Sequence, residues 1–186
     1  MSSKNKTRFV ILGLLSENPL SGYDIKKTIE MRFTFFWSES YGQIYPELKK
    51  LEEEELIIKV TTEPLSERKR FVYSITEAGF QSLKMWLTLP PEKEINRYEI
   101  LLQIYFGNLT TRETIISRIQ EFQNRQKENL TLMNMAEAQI RQDLNKHDNH
   151  IFVLMNILFG KKVYQAYQDW CDEALDLINK SGGNIL

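Results

Sequence analysis

The sequence predicts a mainly α-helical protein with one short β-hairpin, and three observations support this fold class. Apolar residues recur at helical spacing through most of the 186 residues. The chain has only 5 prolines and 8 glycines, which is few for a β-rich fold. One pair of β-branched segments, 57–62 and 70–75, flanks a charged loop. We therefore expect a single two-stranded hairpin with helices on both sides of it.

The composition is that of a globular protein and excludes several classes. Hydrophobic residues make up 42% of the chain, charged residues 26%, and the formal net charge is -1. No apolar run approaches the ~20 residues that cross a bilayer, and the basic N-terminal segment has no cleavage site for a signal peptide. Cys171 is the single cysteine, so no internal disulfide can form. A cytoplasmic protein with no membrane segment is expected.

Three helices are predicted in the first 89 residues in addition to the one at 40–57 described below. Residues 7–17 form the first helix, and Ser21 is a good N-cap for a second helix at 22–33. Thr76 caps the helix that follows the hairpin. Its buried face is expected at Leu83, Trp86 and Leu87.

The stretch 40–57, SYGQIYPELKKLEEEELI, predicts a helix with a polar and aromatic start and an acidic end. Pro46 is expected in about the first turn, where a missing N–H costs little. The apolar face is expected at Tyr45, Leu48, Leu51 and Leu56.

Pro90 and Pro91 mark the strongest boundary, which predicts one domain at 1–89 and another at 90–186. The second domain is expected to be helical, with a helix at 95–106. A helix of ~30 residues capped by Thr110 or Thr111 follows, and a second one comes after a turn at 147–149. Such long helices favour an antiparallel hairpin that packs on itself and on another chain, so we expect a dimerisation domain.

The order helix, helix, helix, hairpin, helix is that of a winged helix-turn-helix domain. In such domains the third helix enters the major groove of DNA, and the hairpin, called the wing, lies along the backbone. A helix that points its N-terminus at DNA presents the positive end of its dipole to phosphate. The acidic run at 52–55 would then lie at the far end of the helix, away from DNA.

Four segments resemble, in order and spacing, the PadR-like transcriptional regulators: ILGLL, LSGYDI, GQIYPELKKLEEEELI and YSITEAGFQSLKMWL. The resemblance covers nearly the whole chain, and its longer subgroup includes repressors that respond to phenolic acids. It implies a homodimeric repressor of nearby genes, released from an inverted-repeat operator by a small aromatic ligand. Glu55 departs from the family, which usually has glycine there to end the helix in a left-handed residue.

Nine residues are candidates for contact with double-stranded DNA. Ser40, Tyr41 and Gln43 are suited to phosphates or base edges, and glutamine is a good reader of adenine. The wing residues are suited to phosphate. Explanations without DNA contact are also open. The start of the helix would be solvated, the wing residues would form an ordinary charged turn, and Tyr23 or the Tyr45 ring would belong to the core. The candidates are Tyr23, Ser40, Tyr41, Gln43, Tyr45, Lys49 (with Lys50 as a further possibility), Arg68, Lys69 and Arg70.

An aromatic-rich set near the linker and the last helix would suit an apolar, ring-bearing ligand. Arg97 is able to hold a carboxylate, although an ion pair with Glu94 or Glu99 is the better explanation of it. Most of the aromatic residues in this set are also explained as core or dimer interface. The candidate ligand contacts are Trp37, Arg97, Tyr98, Tyr105 and Trp170.

No residue pattern predicts an enzyme, a metal site or a cofactor. His147 and His150 lie in an expected turn, with no further cysteine or histidine to complete a metal site. The chain has no glycine-rich phosphate loop. The alternative function is a winged-helix module that contacts other proteins without sequence-specific DNA binding.

Overall fold

The computed structural model describes residues 6–33, 35–61, 71–94 and 96–180. The chain divides into two compact units, Met1–Lys93 and Glu94–Leu186. Within these ranges the elements are helices and one two-stranded antiparallel sheet, which confirms the predicted fold class. Within the ranges described, no helix is long and apolar enough to cross a membrane.

The N-terminal unit has its helices and strands in the predicted order. The strands β1 (Ile57–Thr61) and β2 (Phe71–Ile75) pair antiparallel, with Ile57 opposite Ile75. Leu20 extends this hairpin by a bridge to Tyr73, with backbone hydrogen bonds of 2.9 and 3.1 Å. The elements are α1 (Thr7–Glu17), α2 (Gly22–Arg32), α3 (Tyr41–Glu53), β1 (Ile57–Thr61), β2 (Phe71–Ile75) and α4 (Glu77–Leu87).

Two predicted helix caps are confirmed. The Ser21 hydroxyl accepts a hydrogen bond from the Asp24 N–H at 3.2 Å, and the Asp24 carboxylate accepts from the Ser21 N–H at 3.3 Å. The Thr76 hydroxyl accepts from the Gly79 N–H at 3.1 Å at the start of α4. Each cap satisfies N–H groups that the first turn of a helix leaves without partners.

The apolar face of α3 differs from the prediction at two positions. The helix ends at Glu53, earlier than predicted, so Leu56 lies beyond it. Ile44, Leu48 and Leu51 are fully buried, at spacings of four and three residues, whereas Tyr45 is 50% exposed. Tyr45 is one residue, or about 100°, away from that stripe, so its predicted place on the buried face is wrong. Pro46 is the sixth residue of the helix, later than the first turn expected for it.

The buried face of α4 also differs from the prediction at one position. Gly79 and Leu83 are buried, and the Trp86 ring stacks on Phe9 with centroids 4.7 Å apart. These residues follow one another at spacings of four and three, while Leu87 lies beside the stripe and is 66% exposed. The prediction that Leu87 is buried is therefore wrong.

Helix α3 ends in a left-handed residue although no glycine is present. Glu55 has a φ of 58°, the only positive φ at a non-glycine position within the described ranges. The Leu56 N–H donates to the Leu51 carbonyl at 2.9 Å, and the Glu55 N–H donates to the Glu52 carbonyl at 3.0 Å. This pair of bonds is a Schellman motif, which normally places glycine where Glu55 stands.

The C-terminal unit is helical, with a later start than predicted. Helix α5 (Glu99–Tyr105) follows Tyr98, whose backbone is extended, so the predicted helix at 95–106 is too long at its start. Ile95 lies outside the described residues. A 3-10 turn at Gly107–Leu109 leads to the N-cap Thr111, whose hydroxyl accepts from the Thr114 N–H at 3.2 Å.

Two long helices, α6 (Arg112–Gln142) and α7 (His150–Lys180), form the predicted antiparallel hairpin. Gln123 of α6 donates to Asp172 of α7 at 2.6 Å and accepts at its carbonyl from Gln168 at 2.8 Å. Nearer the turn, Lys161 pairs with Glu137. The buried centre consists of Ile115, Ile119, Phe122 and Cys171, so Cys171 is a packed residue.

Candidate nucleic-acid interface

The start of α3 packs closely on the start of α2. A Cβ atom at Gly22 would lie 2.8 Å from a ring carbon of Tyr45 and 3.2 Å from a methyl carbon of Leu48. Glycine at this position therefore lets the Tyr45 ring lie against the first turn of α2. Packing fixes one side of the ring and leaves half of the residue exposed.

Three tyrosines give this end of the two helices an exposed aromatic surface. Tyr23, Tyr41 and Tyr45 are 56%, 44% and 50% exposed. The rings of Tyr41 and Tyr45 stack with centroids 6.0 Å apart. The core alternative considered for Tyr23 therefore fails. Phenolic rings and hydroxyls of this kind can contact sugar, phosphate and thymine methyl groups.

Lys26 is a member of this surface that sequence reasoning missed. Its Nζ lies 5.9 Å from the centre of the Tyr41 ring and 2.6 Å from Glu30 Oε1. The first distance is within the range of a cation–π contact. The available signal was spacing, because Lys26 follows Tyr23 by three residues and lies one turn along α2.

We call residues 40–45 the α3 tip. Within it, two hydrogen bonds from Ser40 hold the side chain of Gln43. Gln43 Oε1 accepts from the Ser40 N–H at 2.9 Å and from the Ser40 hydroxyl at 2.8 Å. Both residues remain exposed. The amide of Gln43 therefore has one fixed orientation at the helix N-terminus, where N–H groups and the helix dipole favour negative charge.

The lysines in the middle of α3 pair with glutamates of the same helix. Lys49 Nζ lies 3.6 Å from Glu53, and Lys50 Nζ lies 3.9 Å from Glu47. The Lys49 side chain is 79% exposed. The exposed Lys49–Glu53 pair stabilises the helix by only a few tenths of a kcal/mol, so Lys49 stays available to a phosphate.

Two glutamates connect α3 to α1, a role that the sequence did not suggest. Glu54 forms an ion pair with Arg8, and the mostly buried Glu47 lies 4.0 Å from the Arg8 Nε atom. The carboxylates on the inner side of α3 are thus partly neutralised by Arg8 of α1. Acidic residues at this end help to fix the orientation of the helix.

The predicted wing contacts Arg68, Lys69 and Arg70 lie outside the described residues. The strands that lead to them are described. Lys59 on β1 lies over the Phe71 ring of β2, 4.3 Å from its centre. Burial, and then the nearby Glu52 carboxylate, raise the pKa of the Tyr73 hydroxyl.

Among the predicted ligand contacts, Tyr98 and Trp170 are joined through an aromatic cluster of the C-terminal unit. The hydroxyls of Tyr98 and Tyr167 are 2.8 Å apart, and the Phe122 ring meets Tyr167 and Trp170 edge-on at 5.6 and 5.9 Å. Burial, and then the hydrogen bond with Tyr98, raise the pKa of the Tyr167 hydroxyl. Tyr167 is not among the predicted ligand contacts.

The other three predicted ligand contacts have separate surroundings. Trp37 belongs to the N-terminal unit, where its indole N–H donates to the buried Glu39 at 2.8 Å. Arg97 is exposed. Tyr105 is 79% exposed and lies edge-on to Phe106 at 5.1 Å.

The two histidines lie beside the turn that joins α6 and α7. Their rings are 5.0 Å apart, and His150 Nδ1 donates to the Asp143 carbonyl at 2.6 Å. This bond holds the His150 ring at the start of α7. Nowhere in the ranges described do three or more histidine, cysteine, aspartate or glutamate side chains form a group able to hold a metal ion.

Two family models match the chain, one on each unit. Residues 11–85 match the model described as the transcriptional regulator PadR-like family. Residues 96–179 match the model described as the C-terminal domain of virulence activator alpha. The first match covers α2, α3, the hairpin strands and most of α1 and α4, and therefore includes the α3 tip.

Relatives with solved structures match over nearly the full length. The chain is 32% identical over 180 residues to a negative transcriptional regulator, PadR of Bacillus subtilis, covering 93% of this chain and 97% of that protein. A structure of B. subtilis PadR with operator DNA has a TM-score of 0.80 at 28% identity, covering 92% and 96% of the two chains. A structure of the same protein with p-coumaric acid has a TM-score of 0.74 at 26% identity, covering 92% and 98%. The chain belongs to the PadR-like family of transcriptional regulators.

Proposed function

We propose that this protein is a homodimeric repressor that binds an inverted-repeat operator near the genes it controls and leaves it when a small aromatic ligand binds. Residues 1–89 would bind DNA and residues 90–186 would form the dimer. Such a repressor works on the chromosome and would therefore act in the cytoplasm. The proposed role, like that of other transcriptional regulators, requires no enzymatic activity.

The observation that carries the proposal is the division of α3 into two halves. The α3 tip exposes Ser40, Tyr41, Gln43 and Tyr45 at the positive end of the helix dipole. The other half is held to α1 by Glu54 and Arg8. A helix anchored at one end and exposed at the other suits insertion into the major groove.

Apolar side chains on α7 support the homodimer. Ile151, Met155 and Phe159 follow one another at four-residue spacing and are exposed, and Phe152 lies beside them. A contiguous exposed apolar stripe on a long helix favours burial against another chain. A second copy of the hairpin would bring two α3 tips to two half-sites of one operator.

The aromatic cluster of Tyr98, Phe122, Tyr167 and Trp170 supports a ring-bearing ligand. It combines apolar ring surface with two phenolic hydroxyls that hydrogen-bond each other. A phenolic ligand can replace one of these hydroxyls as a partner, and Arg97 is suited to a carboxylate. The related B. subtilis protein has been crystallised with p-coumaric acid, which makes this compound the first probe.

The proposal is tested by titrating the full-length protein into labelled DNA taken from upstream of its own gene, and into a shuffled duplex of the same composition. We expect preference for the native sequence and a loss of affinity on the order of a thousandfold between 50 and 200 mM salt. p-Coumaric acid should release the bound DNA. Equal binding of both duplexes, or affinity that does not change with salt, would contradict the proposal and favour a protein-interaction module.

The wing residues have a separate test. Replacing Arg68 and Lys69 together by alanine should weaken binding to all sequences alike and reduce the slope of log affinity against log salt by roughly 0.9 for each phosphate that the variant no longer neutralises. Replacing the exposed Lys127 and Lys162 of the C-terminal unit by alanine removes the same charge at a distant place in the sequence and is the control. An unchanged slope in the wing variant would remove these residues from the interface.

A further inference from the structure

The side-chain oxygen of Gln43 is fully engaged by Ser40. The Ser40 N–H and the Ser40 hydroxyl both point their hydrogens at Gln43 Oε1, at 2.9 and 2.8 Å. A backbone N–H can only donate, so the amide atom that faces it is the oxygen and not the nitrogen. A carbonyl oxygen has two lone pairs, and these two hydrogen bonds use both.

What remains for recognition is the Nε2 group of Gln43, which donates two hydrogen bonds and accepts none. Bidentate recognition of adenine needs both halves of the amide, since the oxygen accepts from N6 while the nitrogen donates to N7. In the major groove guanine presents two acceptors, N7 and O6, whereas cytosine presents the N4 donor. Thymine presents one acceptor, O4, beside its methyl group. The held amide therefore fits guanine best, meets a single acceptor on adenine or thymine and opposes cytosine.

We propose that Gln43 selects guanine in the operator as a donor-only side chain, and that Ser40 is the positioning residue that sets this choice. The inference rests on the proposed function, because it requires the α3 tip to face base edges. It replaces the adenine expected from residue type alone. The pair is exposed and lies at the first turn of α3, where base contacts are made in this class of domain.

Two variants separate the base contact from the helix cap. Gln43→Glu keeps acceptors for both Ser40 donors, as in an ordinary capping box, but it has no hydrogen to donate to a base. Ser40→Ala removes the hydroxyl and leaves the backbone bond, so one lone pair of Oε1 becomes free to accept from adenine N6. Thermal unfolding of both variants within a few degrees of the parent confirms that the fold is retained.

The test is selection of randomised duplexes by the full-length protein and by each variant, followed by sequencing of the bound pool. Relative base preferences within each pool are compared, because an added negative charge weakens binding to every sequence. The parent should prefer guanine at the position that Gln43→Glu alters, by about tenfold over adenine. Gln43→Glu should shift that position to cytosine, and Ser40→Ala should admit adenine there.

Two results would overturn the assignment. One is adenine as the parent's preferred base at the position altered by Gln43→Glu. The other is a Gln43→Glu pool with unchanged preferences at every position, which would leave Gln43 without a base contact. In either case the parent still selects an operator, so the proposed function stands. A parent that enriches no sequence over random DNA would instead contradict the proposed function itself.

Discussion

The hydroxyl of Thr76 donates a hydrogen bond of 2.8 Å to the backbone carbonyl of Glu55. The same hydroxyl accepts from the Gly79 N–H at 3.1 Å and so caps α4. Glu55 is the left-handed residue that ends α3. The Thr76 side chain thus connects the end of α3, the proposed DNA-reading helix, to the start of α4, the helix that follows the wing. It fixes the orientation of both helices relative to the hairpin.

Glu55→Gly is expected to stabilise the protein. A side chain in the left-handed region costs about 1–2 kcal/mol, while glycine adds roughly 0.4–1 kcal/mol of conformational entropy to the unfolded chain. The free energy of unfolding, measured with urea, should therefore rise by about 0.5–1 kcal/mol. Glu55→Ala is the control, because it keeps the strain, and it should change the value by less than about 0.5 kcal/mol. A destabilised glycine variant would mean that the Glu55 side chain makes a compensating contact.

Gly79→Ala is expected to be strongly destabilising. The added Cβ would lie 2.1 Å from the backbone carbonyl oxygen of Leu56 and 2.9 Å from a side-chain carbon of Ile75. The Leu56 carbonyl accepts a hydrogen bond from the Thr76 N–H at 3.1 Å and cannot move away without breaking it, so we expect a loss of about 3 kcal/mol.

The matched control for this substitution is Gly13→Ala in α1, where an added Cβ meets nothing within 4 Å. That change should raise the free energy of unfolding by about 0.5–1 kcal/mol, because alanine is the better helix former. Similar effects at the two positions would contradict the close approach of α4 to Leu56.

Alkaline pH is expected to destabilise the C-terminal unit through Tyr167. Burial, and then the bond with Tyr98, raise the pKa of the Tyr167 hydroxyl. The unfolded chain therefore loses this proton first, and stability that is present below a pH of about 10 falls as the pH rises further. Tyr167→Phe should flatten this fall in urea unfolding curves measured from pH 8 to 11.

Tyr167→Phe should also lose about 1 kcal/mol at pH 8, since one hydrogen bond with Tyr98 disappears. Tyr105→Phe, at a residue that is 79% exposed, is the control and should follow the parent curve. Parallel curves for Tyr167→Phe and the parent up to pH 11 would show that the Tyr167 hydroxyl does not contribute to the loss.

Local signals made most of the fold predictable. Ser21, Thr76 and Thr111 are caps because serine and threonine followed by a helical pattern satisfy the first N–H groups, whatever the rest of the chain does. The Schellman end at Glu55 was recognisable only as a departure from the glycine that the family usually has. Whether the residue would accept a positive φ depended on the strands that follow it.

The errors came from packing between elements. Ile44 and Tyr45 are adjacent apolar residues, and the direction of the core, which sequence does not reveal, decides which one is buried. Leu87 extends an apolar pattern at the last residue of α4, where the core has ended. A serine followed three residues later by glutamine predicts the hydrogen bonds between Ser40 and Gln43. The consequence for base choice depends on which atom of the Gln43 amide faces Ser40, and only the structure shows that.

The most direct test of the account is the effect of Tyr41→Glu on operator affinity. Tyr41 is the first residue of α3, where a negative charge favours the helix. This gain offsets the lost ring contacts with Tyr45 and Lys26, so stability should change by less than about 1 kcal/mol. In the proposed complex the same charge would face phosphate, and affinity for the selected operator should fall at least tenfold. Tyr105→Glu adds the same charge at an exposed tyrosine of the C-terminal unit and should change affinity by less than about threefold. An operator affinity for Tyr41→Glu within twofold of the parent would contradict the claim that the α3 tip meets DNA.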